Sequence, residues 1–236
     1  MGRRAEEHMS SSALESAAVI TGLCFHGIGE PTPGLEPDWH DYFISRDLFL
    51  AVLDEAAGWP GISFTFDDGY ASDVEVALPA LRERGLTGTF FPVAGKLGQP
   101  GYVDAAGVRA LSAAGMPVGS HGMWHRSWRE LDAQAEHEEL VEARSLIGSV
   151  AGAPVLAAAC PFGSYDRRVL GALRQHGYEQ VFTSDRRRAR VGAWLQPRYS
   201  LLRTDTLSSI RENILAPRPV AERVRCAAVA RVKAWR

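Results

Sequence analysis

Six short apolar runs alternate with stretches of helical periodicity along the chain. Runs of this length, bounded by glycine, proline or polar residues, are typical of buried strands. The predicted strands are Val19–Phe25, Gly61–Phe66, Thr87–Val93, Met116–Gly119, Val155–Ala159 and Glu179–Thr183.

Helical patterns follow most of these runs, with apolar residues recurring every three or four positions. Ser72 and Glu75 have the spacing of a capping box at the start of the first such pattern. Two later patterns each open with an aspartate that can cap a helix and close on glycine. The predicted helices span residues 72–85, 104–115, 130–150 and 166–177.

Strands that alternate with helices predict a parallel sheet covered by those helices. The first strand lacks the glycine fingerprint of dinucleotide-binding folds, and chemistry-bearing residues follow several different strands. We therefore predict an α/β fold, a distorted (β/α) barrel of about seven strand–helix units, over residues 17–216. Residues 1–16 are interpreted as a disordered tail or cloning remnant, and residues 217–236 as a basic C-terminal helix.

Composition narrows the function classes. The 236-residue chain has a formal net charge of −2, which argues against a protein that wraps nucleic acid. Its three widely spaced cysteines fit free thiols in a reducing compartment. No run reaches the roughly 18–20 apolar residues of a membrane span, and no signal-peptide pattern is recognised. We therefore expect a cytoplasmic protein.

Two adjacent carboxylates, Asp67 and Asp68, follow the second predicted strand. A turn with a helix-capping aspartate would explain them, but neighbouring like charges are tolerated best beside a cation. His121 and His125 follow another strand four positions apart, a spacing also common on solvated helix faces. Joined with a carboxylate from another strand end, the two histidines would form a metal set with open positions, as in catalytic zinc sites.

Two further strand ends carry weaker signals. Cys160-Pro161-Phe162-Gly163 is a turn pattern, and His26 in Phe25-His26-Gly27 could equally be a structural core histidine. Taken in order, however, the motifs TFDDG, SHGMWH and PFG at strand ends resemble the polysaccharide deacetylases of the NodB-homology, carbohydrate-esterase type. The resemblance covers about residues 19–210 and implies the distorted barrel of that family.

The resemblance also assigns roles residue by residue. Asp67 would be the general base, and Asp68, His121 and His125 would hold a divalent metal. Zinc is the first expectation, although cobalt, nickel and iron also suit histidine and carboxylate ligands. The backbone N–H of Phe162 would help to hold the oxyanion.

This chain departs from the commonest family pattern in three places. In most members of the family the catalytic histidine lies near the C-terminus, but no histidine follows His176 in this chain. His26 resembles the first-strand histidine of an exopolysaccharide-active subgroup and is assigned as the general acid. Cys160 stands where an arginine usually pairs with the base, and the downstream motif with paired Asp and Trp is not recognisable. Arg198, in Gln196-Pro197-Arg198-Tyr199, resembles the late proline–arginine segment of that subgroup. We hypothesise that Arg198 supplies the missing charge, with a surface position as the alternative.

Aromatic residues beside the motifs, Tyr70, Trp124 and Tyr165, are interpreted as surfaces on which a sugar ring could stack. The alternative is packing at the barrel mouth, which is favoured for Trp128. The basic segment after Pro217 carries an apolar stripe, so it either contacts an anionic membrane or packs on its own domain with a solvated basic face.

These features lead to one functional expectation and two alternatives. We expect a metal-dependent hydrolase that removes N-acetyl groups from an N-acetylhexosamine-containing sugar, glycolipid or glycoside. Its partner would be an acetylated sugar and not a nucleic acid. The alternatives are an O-acetyl esterase acting on carbohydrate and a non-catalytic relative that binds sugar or metal.

Overall fold

The computed structural model describes residues 19–235 except 32–36, 57, 60 and 217–219, so the predicted tail over 1–16 lies outside the described residues. The strands described are β1 (Val19–Phe25), β2 (Gly27–Ile28), β3 (Phe43–Ile44), β4 (Ile62–Asp68), β5 (Gly88–Pro92), β6 (Ala157–Ala159), β7 (Gln180–Thr183), β8 (Ala189–Arg190) and β9 (Leu195–Ser200). The helices described are α1 (Arg46–Ala56), α2 (Asp73–Ala77 and Leu78–Glu83), α3 (Ala105–Ala113), α4 (Ala133–His137, Glu138–Glu142 and Ala143–Ala151), α5 (Arg167–Gln175), α6 (Leu207–Ile210 and Arg211–Leu215) and α7 (Val220–Trp235).

The main sheet is a nearly closed parallel barrel, as predicted. Its strand order is β5–β4–β1–β9–β7–β6, and every pair along this path is parallel. The short β8 pairs antiparallel with the start of β1, and β2 pairs with β3 in a separate two-stranded sheet. The order places the first and last long strands, β1 and β9, side by side in the barrel wall.

An extended segment closes the gap between β5 and β6. Val118 forms a parallel bridge with Phe90 on β5, and Ser120 forms one with Ala158 on β6. The predicted strand Met116–Gly119 is therefore wrong as a regular strand, because the segment pairs for only one residue with each neighbour. Counting it with the six strands of the path gives seven strand segments around the barrel.

Aromatic packing fixes the register of the strands that carry the site. Phe25, Phe66 and Phe90 stack on successive strands, with ring centroids 5.2 Å and 4.4 Å apart, and Phe49 of α1 meets Phe25 edge-on at 5.1 Å. All four are fully buried, and aromatic pairs of this kind add about 0.5–1.5 kcal/mol each beyond area burial. Because Phe25 is paired with Phe66, the residues that follow them emerge side by side at the carboxyl edge of the barrel.

Helix boundaries agree with the predictions to within a few residues where an aspartate caps the helix. The side chain of Asp104 accepts a hydrogen bond from Gly107 N, and that of Asp166 accepts one from Val169 N. The capping box predicted at Ser72 is wrong: its hydroxyl accepts instead from the N–H of Ile28 on β2, at 3.1 Å. Helix α4 contains a π-helical turn over Glu138–Glu142, a local irregularity that is frequent at functional sites.

Helix α7 lies where the sequence predicts a basic C-terminal helix, although the domain division at residue 217 stays a prediction. Within the described ranges, none of the helices combines the length and the apolarity needed to cross a membrane.

Candidate active site

The carboxyl edge of the barrel gathers side chains from four places in the sequence. Asp67 and Asp68 end β4, and His26 directly follows β1. The loop after the closing segment, residues 120–125, brings two histidines, and β9 contributes Arg198. The β5–β4–β1–β9 order explains why residues distant in sequence meet there.

Asp68, His121 and His125 converge on one point. The Oδ1 atom of Asp68 lies 3.3 Å from Nε2 of His125 and 3.5 Å from Nε2 of His121, and one ligand atom from each residue lies within 4.8 Å of the others. Tetrahedral zinc with bonds of 2.0–2.1 Å would separate its ligands by about 3.3 Å. In the described part of the chain, buried Asp68 Oδ1 has no hydrogen-bond partner, as expected of an atom that serves a cation.

Each of the two histidines turns one ring nitrogen, Nε2, toward Asp68. Nδ1 of His121 lies 2.8 Å from the carbonyl oxygen of Ala159, which can only accept, so Nδ1 donates and Nε2 is the ring nitrogen that faces Asp68. Burial lowers the pKa of His125 to about 4, although Asp68 raises it. The donor set of two imidazoles and one carboxylate therefore fits a divalent cation of the zinc, cobalt, nickel or iron type.

The site backbone is unusual at three side chains. Asp68, His125 and Phe162 have φ values of 73°, 57° and 59°, in the left-handed region that non-glycine residues rarely adopt. Each conformation aims a side chain or an N–H group that an ordinary strand or turn would direct elsewhere. Such strain persists only where the surrounding structure holds it, and it concentrates at functional sites.

Asp67 is held by a buried two-pronged ion pair. NH1 of Arg198 donates to Oδ1 of Asp67 and NH2 donates to Oδ2, both at 2.7 Å, and NH1 also donates to the hydroxyl of Thr65 at 2.9 Å. Burial raises the pKa of Asp67, but the charge and hydrogen bonds of Arg198, together with His121 and His26, lower it more, so the net pKa lies well below its usual range. Arg198 thus lies against Asp67 rather than on the surface.

A glycine on β1 makes this ion pair sterically feasible. Gly22 is paired with Arg198 on one side and with Ser63 on the other, so it lies between β9 and β4. A Cβ atom at Gly22 would come within 2.9 Å of Cγ of Arg198. Because Gly22 has no side chain, space remains open for the Arg198 side chain to cross β1 and reach Asp67.

His26 completes the inner part of the site. One of its ring nitrogens lies within 4.8 Å of an Asp67 oxygen and of Sγ of Cys24, and its ring packs 4.8 Å from that of Tyr42. Burial lowers its pKa, whereas Asp68 raises it. Cys24, His26 and Asp67 suit a metal less well than the first set. Arg198 already binds both Asp67 oxygens, and burial raises the pKa of the Cys24 thiol.

Aromatic rings form the outer wall beside His125. Phe162 is 58% exposed, with its ring 4.6 Å from that of His125. Trp39 lies 5.1 Å from the His125 ring and 5.8 Å from the Phe162 ring. The sequence interpretation missed Trp39 and Tyr42. The available signal was their position in the first segment with aromatic residues after His26, because a loop that follows a strand end can fold over that end.

The three aromatic residues predicted to contact a sugar have different surroundings. Tyr70 is buried against Phe43 and Tyr102, and its pKa is raised by burial and by nearby Asp68. Trp124 is 44% exposed, and its indole N–H donates to Glu138. Tyr165 is buried, with its hydroxyl donating to Asp185 at 2.6 Å. Their substrate contacts stay predictions, with Trp124 the most accessible of the three.

Sequence reasoning also missed Glu139 of α4. This fully buried carboxylate accepts hydrogen bonds from the backbone N–H groups of Met123 and Trp124, between the two metal-site histidines. A glutamate within an amphipathic helix gives no local signal of such a contact, because only the folded chain brings α4 behind the loop.

Comparisons with known proteins support the family resemblance and the fold. The family model for polysaccharide deacetylase matches residues 55–181, more than half of the chain. The Bacillus subtilis protein YxkH, which bears the name of the same family, is 23% identical over 124 residues. That match covers 52% of this chain and 44% of YxkH, so the chain spans less than half of the length of this curated relative.

Solved deacetylases share the fold. The Streptococcus pyogenes deacetylase PplD, solved with acetate, matches with a TM-score of 0.74 and 18% identity over 85% of this chain and 100% of that one. A de-N-acetylase from Aggregatibacter actinomycetemcomitans matches with a TM-score of 0.71 and 16% identity over 82% of this chain and 99% of that one. At these identities the likeness establishes a common architecture.

Proposed function

The chain belongs to the polysaccharide deacetylase family, and from that premise we propose that it is a metal-dependent hydrolase that removes N-acetyl groups from an N-acetylhexosamine-containing sugar, glycolipid or glycoside. The observation that carries the proposal is one cluster holding a three-ligand set, an ionised carboxylate and a histidine. The cytoplasmic location expected from the cysteines stays a prediction.

Asp68, His121 and His125 would hold the divalent cation, most suitably zinc. When bound, the cation would act as a Lewis acid on the acetyl carbonyl. The N–H of Phe162, aimed by its left-handed backbone, would donate to the oxygen on which negative charge develops.

Asp67 would accept a proton from the water that attacks the carbonyl carbon. The ion pair with Arg198 keeps this carboxylate ionised and fixes its orientation, although its low pKa makes it a weak base. The contribution of Asp67 is therefore mainly positional: it orients the attacking water and receives its proton.

His26 would donate a proton to the nitrogen as the C–N bond breaks, releasing acetate and a free amine. Burial lowers the pKa of His26, but negative charge developing on the substrate raises it again, so that the ring takes up the proton that it then donates. An amine leaves poorly unless protonated, so the presence of a histidine here supports an amide rather than an ester as substrate. The Aggregatibacter protein that shares the fold is named a de-N-acetylase, which supports the same choice.

The decisive experiment combines metal analysis with acetate release. Purified protein should bind close to one divalent ion per chain and release acetate from acetylated amino sugars. A His121→Ala, His125→Ala double variant should lose both, and His137→Ala, at an exposed position on α4, should lose neither. Protein that binds no metal after reconstitution would overturn the proposal, and metal binding without any hydrolysis would indicate a non-catalytic relative.

His26→Ala separates N-deacetylation from O-deacetylation. Loss of the proton donor should reduce release from N-acetyl sugars by roughly 10²–10⁴-fold, the usual contribution of general acid–base catalysis. Release from O-acetyl sugars should change little, because an alkoxide leaves more readily than an amide anion. Dominant O-acetyl activity that survives this change would favour an esterase instead.

A further inference from the structure

Glu139 is a buried carboxylate outside the ligand set. It lies in the π-helical turn of α4 and is 0% exposed. None of the described residues forms an ion pair with it, and its oxygens instead accept hydrogen bonds. A buried carboxylate is tolerated only when its oxygens are fully hydrogen-bonded.

Its partners all belong to the histidine loop or its flank. Oε1 accepts from the backbone N–H of Trp124 at 3.0 Å, and Oε2 accepts from that of Met123 at 2.9 Å. The indole N–H of Trp128 donates to Oε2 at 3.3 Å. Gly122 has a φ of 81°, and a Cβ atom there would lie 2.2 Å from Oε2, so the loop backbone is packed directly on the carboxylate.

We propose that Glu139 is a positioning residue for the metal site. The backbone that it holds is the segment between His121 and His125, which must bend so that both Nε2 atoms face Asp68. The left-handed conformation of His125 needs external support, and the bonds from Glu139 fix the residues just before it. The inference rests on the proposed metal-dependent function.

Glu139→Gln tests this role with almost no change in shape. The amide has one acceptor oxygen in place of two, so one of its own N–H groups would face a loop N–H. We expect metal affinity, measured by competition with a chromophoric chelator, to fall roughly 10–100-fold, as for other groups that orient ligands. The absorption spectrum of the cobalt-substituted site should change as well. Ile147→Ala, a buried substitution on the same helix, is the control: it lowers stability but leaves metal affinity and spectrum unchanged.

Each outcome is informative. Unchanged affinity and spectrum in Glu139→Gln would overturn the inference while leaving the proposed function intact. Equal weakening in Ile147→Ala would also overturn it, because metal affinity would then follow global stability. If native protein fails to bind metal, the proposed function fails first.

A separate surface lies on α7. Lys233 contacts Oδ1 of Asp185 at 2.9 Å and lies over the Tyr165 ring, so this side of the helix faces the barrel. At about 100° per residue, Lys233 is on the opposite side of the helix from Val224. Val224, Val232 and Trp235 are 62%, 52% and 80% exposed.

Four exposed apolar residues form a stripe with basic margins, whereas Val229, 54% exposed, lies outside it, beyond Arg225. Val224, Ala228, Val232 and Trp235 fall within an arc of about 80° on the helix. Arg225 and Arg231, both exposed, border the arc on either side. Such a pattern, with tryptophan in the apolar stripe and arginines that can reach out beside it, matches the chemistry of an anionic bilayer surface.

We infer that this stripe contacts anionic membrane lipid. A cleft of about 220 Å³ separates α7 from the loop carrying Phe162, with Val232 and Lys233 on the helix side. Phe162 also borders the metal site, so a lipid surface on α7 would lie close to the catalytic edge. If the proposed function holds, the substrate is an acetylated glycan attached to a membrane lipid.

Vesicle sedimentation tests the surface independently of catalysis. The full chain should bind vesicles of phosphatidylglycerol and phosphatidylcholine far better than phosphatidylcholine alone. Arg225→Gln with Arg231→Gln should lower partitioning roughly 25-fold, from about 1 kcal/mol per arginine. Arg109→Gln with Arg190→Gln, at exposed positions elsewhere, should leave it unchanged.

The membrane inference is overturned if the native chain ignores anionic vesicles or if the arginine variant binds as well as the native chain. Self-association that is lost in Trp235→Ser would assign the stripe to a second copy and overturn it equally. Acetate release from a soluble acetylated oligosaccharide tests the proposed function separately.

Discussion

Replacing Arg198 by Met would leave the Asp67 carboxylate buried without its cation. Both side chains are almost inaccessible, at 1% and 3% exposure. Removing one partner of such a pair costs about 3–5 kcal/mol, because the remaining charge is uncompensated. Native domains are stable by about 5–15 kcal/mol, so the variant should fold but unfold at a urea concentration about 1–2 M lower.

The pH dependence of that loss follows from the direction of the pKa changes. In the native protein Arg198 depresses the pKa of Asp67, so the pair stabilises the fold above the unfolded pKa of about 3.9 and this is lost as pH falls further. Without Arg198, burial raises the pKa of Asp67, and the penalty on the charged form disappears as pH falls through that raised pKa. The stability deficit should therefore be largest at pH 7 and smaller at pH 5, with the acid limb of kcat/KM moved to higher pH.

Urea unfolding at both pH values, with a pH–rate profile for acetate release, measures these effects. Arg203→Met is a matched control, since Arg203 and Glu30 are exposed and 4.0 Å apart, and such pairs contribute about 0–1 kcal/mol. A deficit below about 1 kcal/mol that does not vary with pH, together with an unshifted acid limb, would refute the reasoning.

Three further predictions concern the same site. Gly22→Val should displace Arg198 and lower the free energy of unfolding, measured in urea, by about 1–3 kcal/mol. Gly171→Val, at a helical glycine facing open space, is the control and should lower it by about 1 kcal/mol or less. Equal losses in the two variants would contradict the steric argument. Trp39→Ala should raise KM for an acetylated oligosaccharide roughly 2–10-fold with little change in kcat, and an unchanged KM would remove Trp39 from the sugar-binding surface. Removal of metal by a chelator should abolish acetate release and lower Tm, and added zinc should restore both; activity that survives chelation would exclude the proposed ligand set.

Residues at strand ends were predictable because their signals are local. Asp67, Asp68, His121 and His125 follow apolar runs within a few positions, and the strand order then brings them together. Arg198 was placed by resemblance alone. Its strand reads Leu-Gln-Pro-Arg-Tyr-Ser, which has no apolar alternation, because the barrel interior at that level is filled by the ion pair.

Features that depend on tertiary contacts gave no such signal. Ser72 matches a helix-capping pattern, but its hydroxyl accepts a hydrogen bond from the N–H of Ile28 on β2, forty-four residues away. The closing segment around Pro117 reads as a strand, yet it changes partners after a single bridge on each side. Glu139 has an ordinary helical environment in the sequence, and its contact with the histidine loop exists only after α4 packs behind it.

The left-handed backbone at Asp68, His125 and Phe162 has an evolutionary consequence. Each conformation costs roughly 1–2 kcal/mol that glycine would not incur. Random variation of protein kept free of metal, screened only for thermal resistance, should therefore enrich glycine at these three positions, and every such variant would lose a ligand or a wall of the cleft. Substitutions that raise thermal stability without loss of activity must therefore lie elsewhere in the barrel. Among single variants at these three positions, the most heat-resistant and the most active should be different proteins.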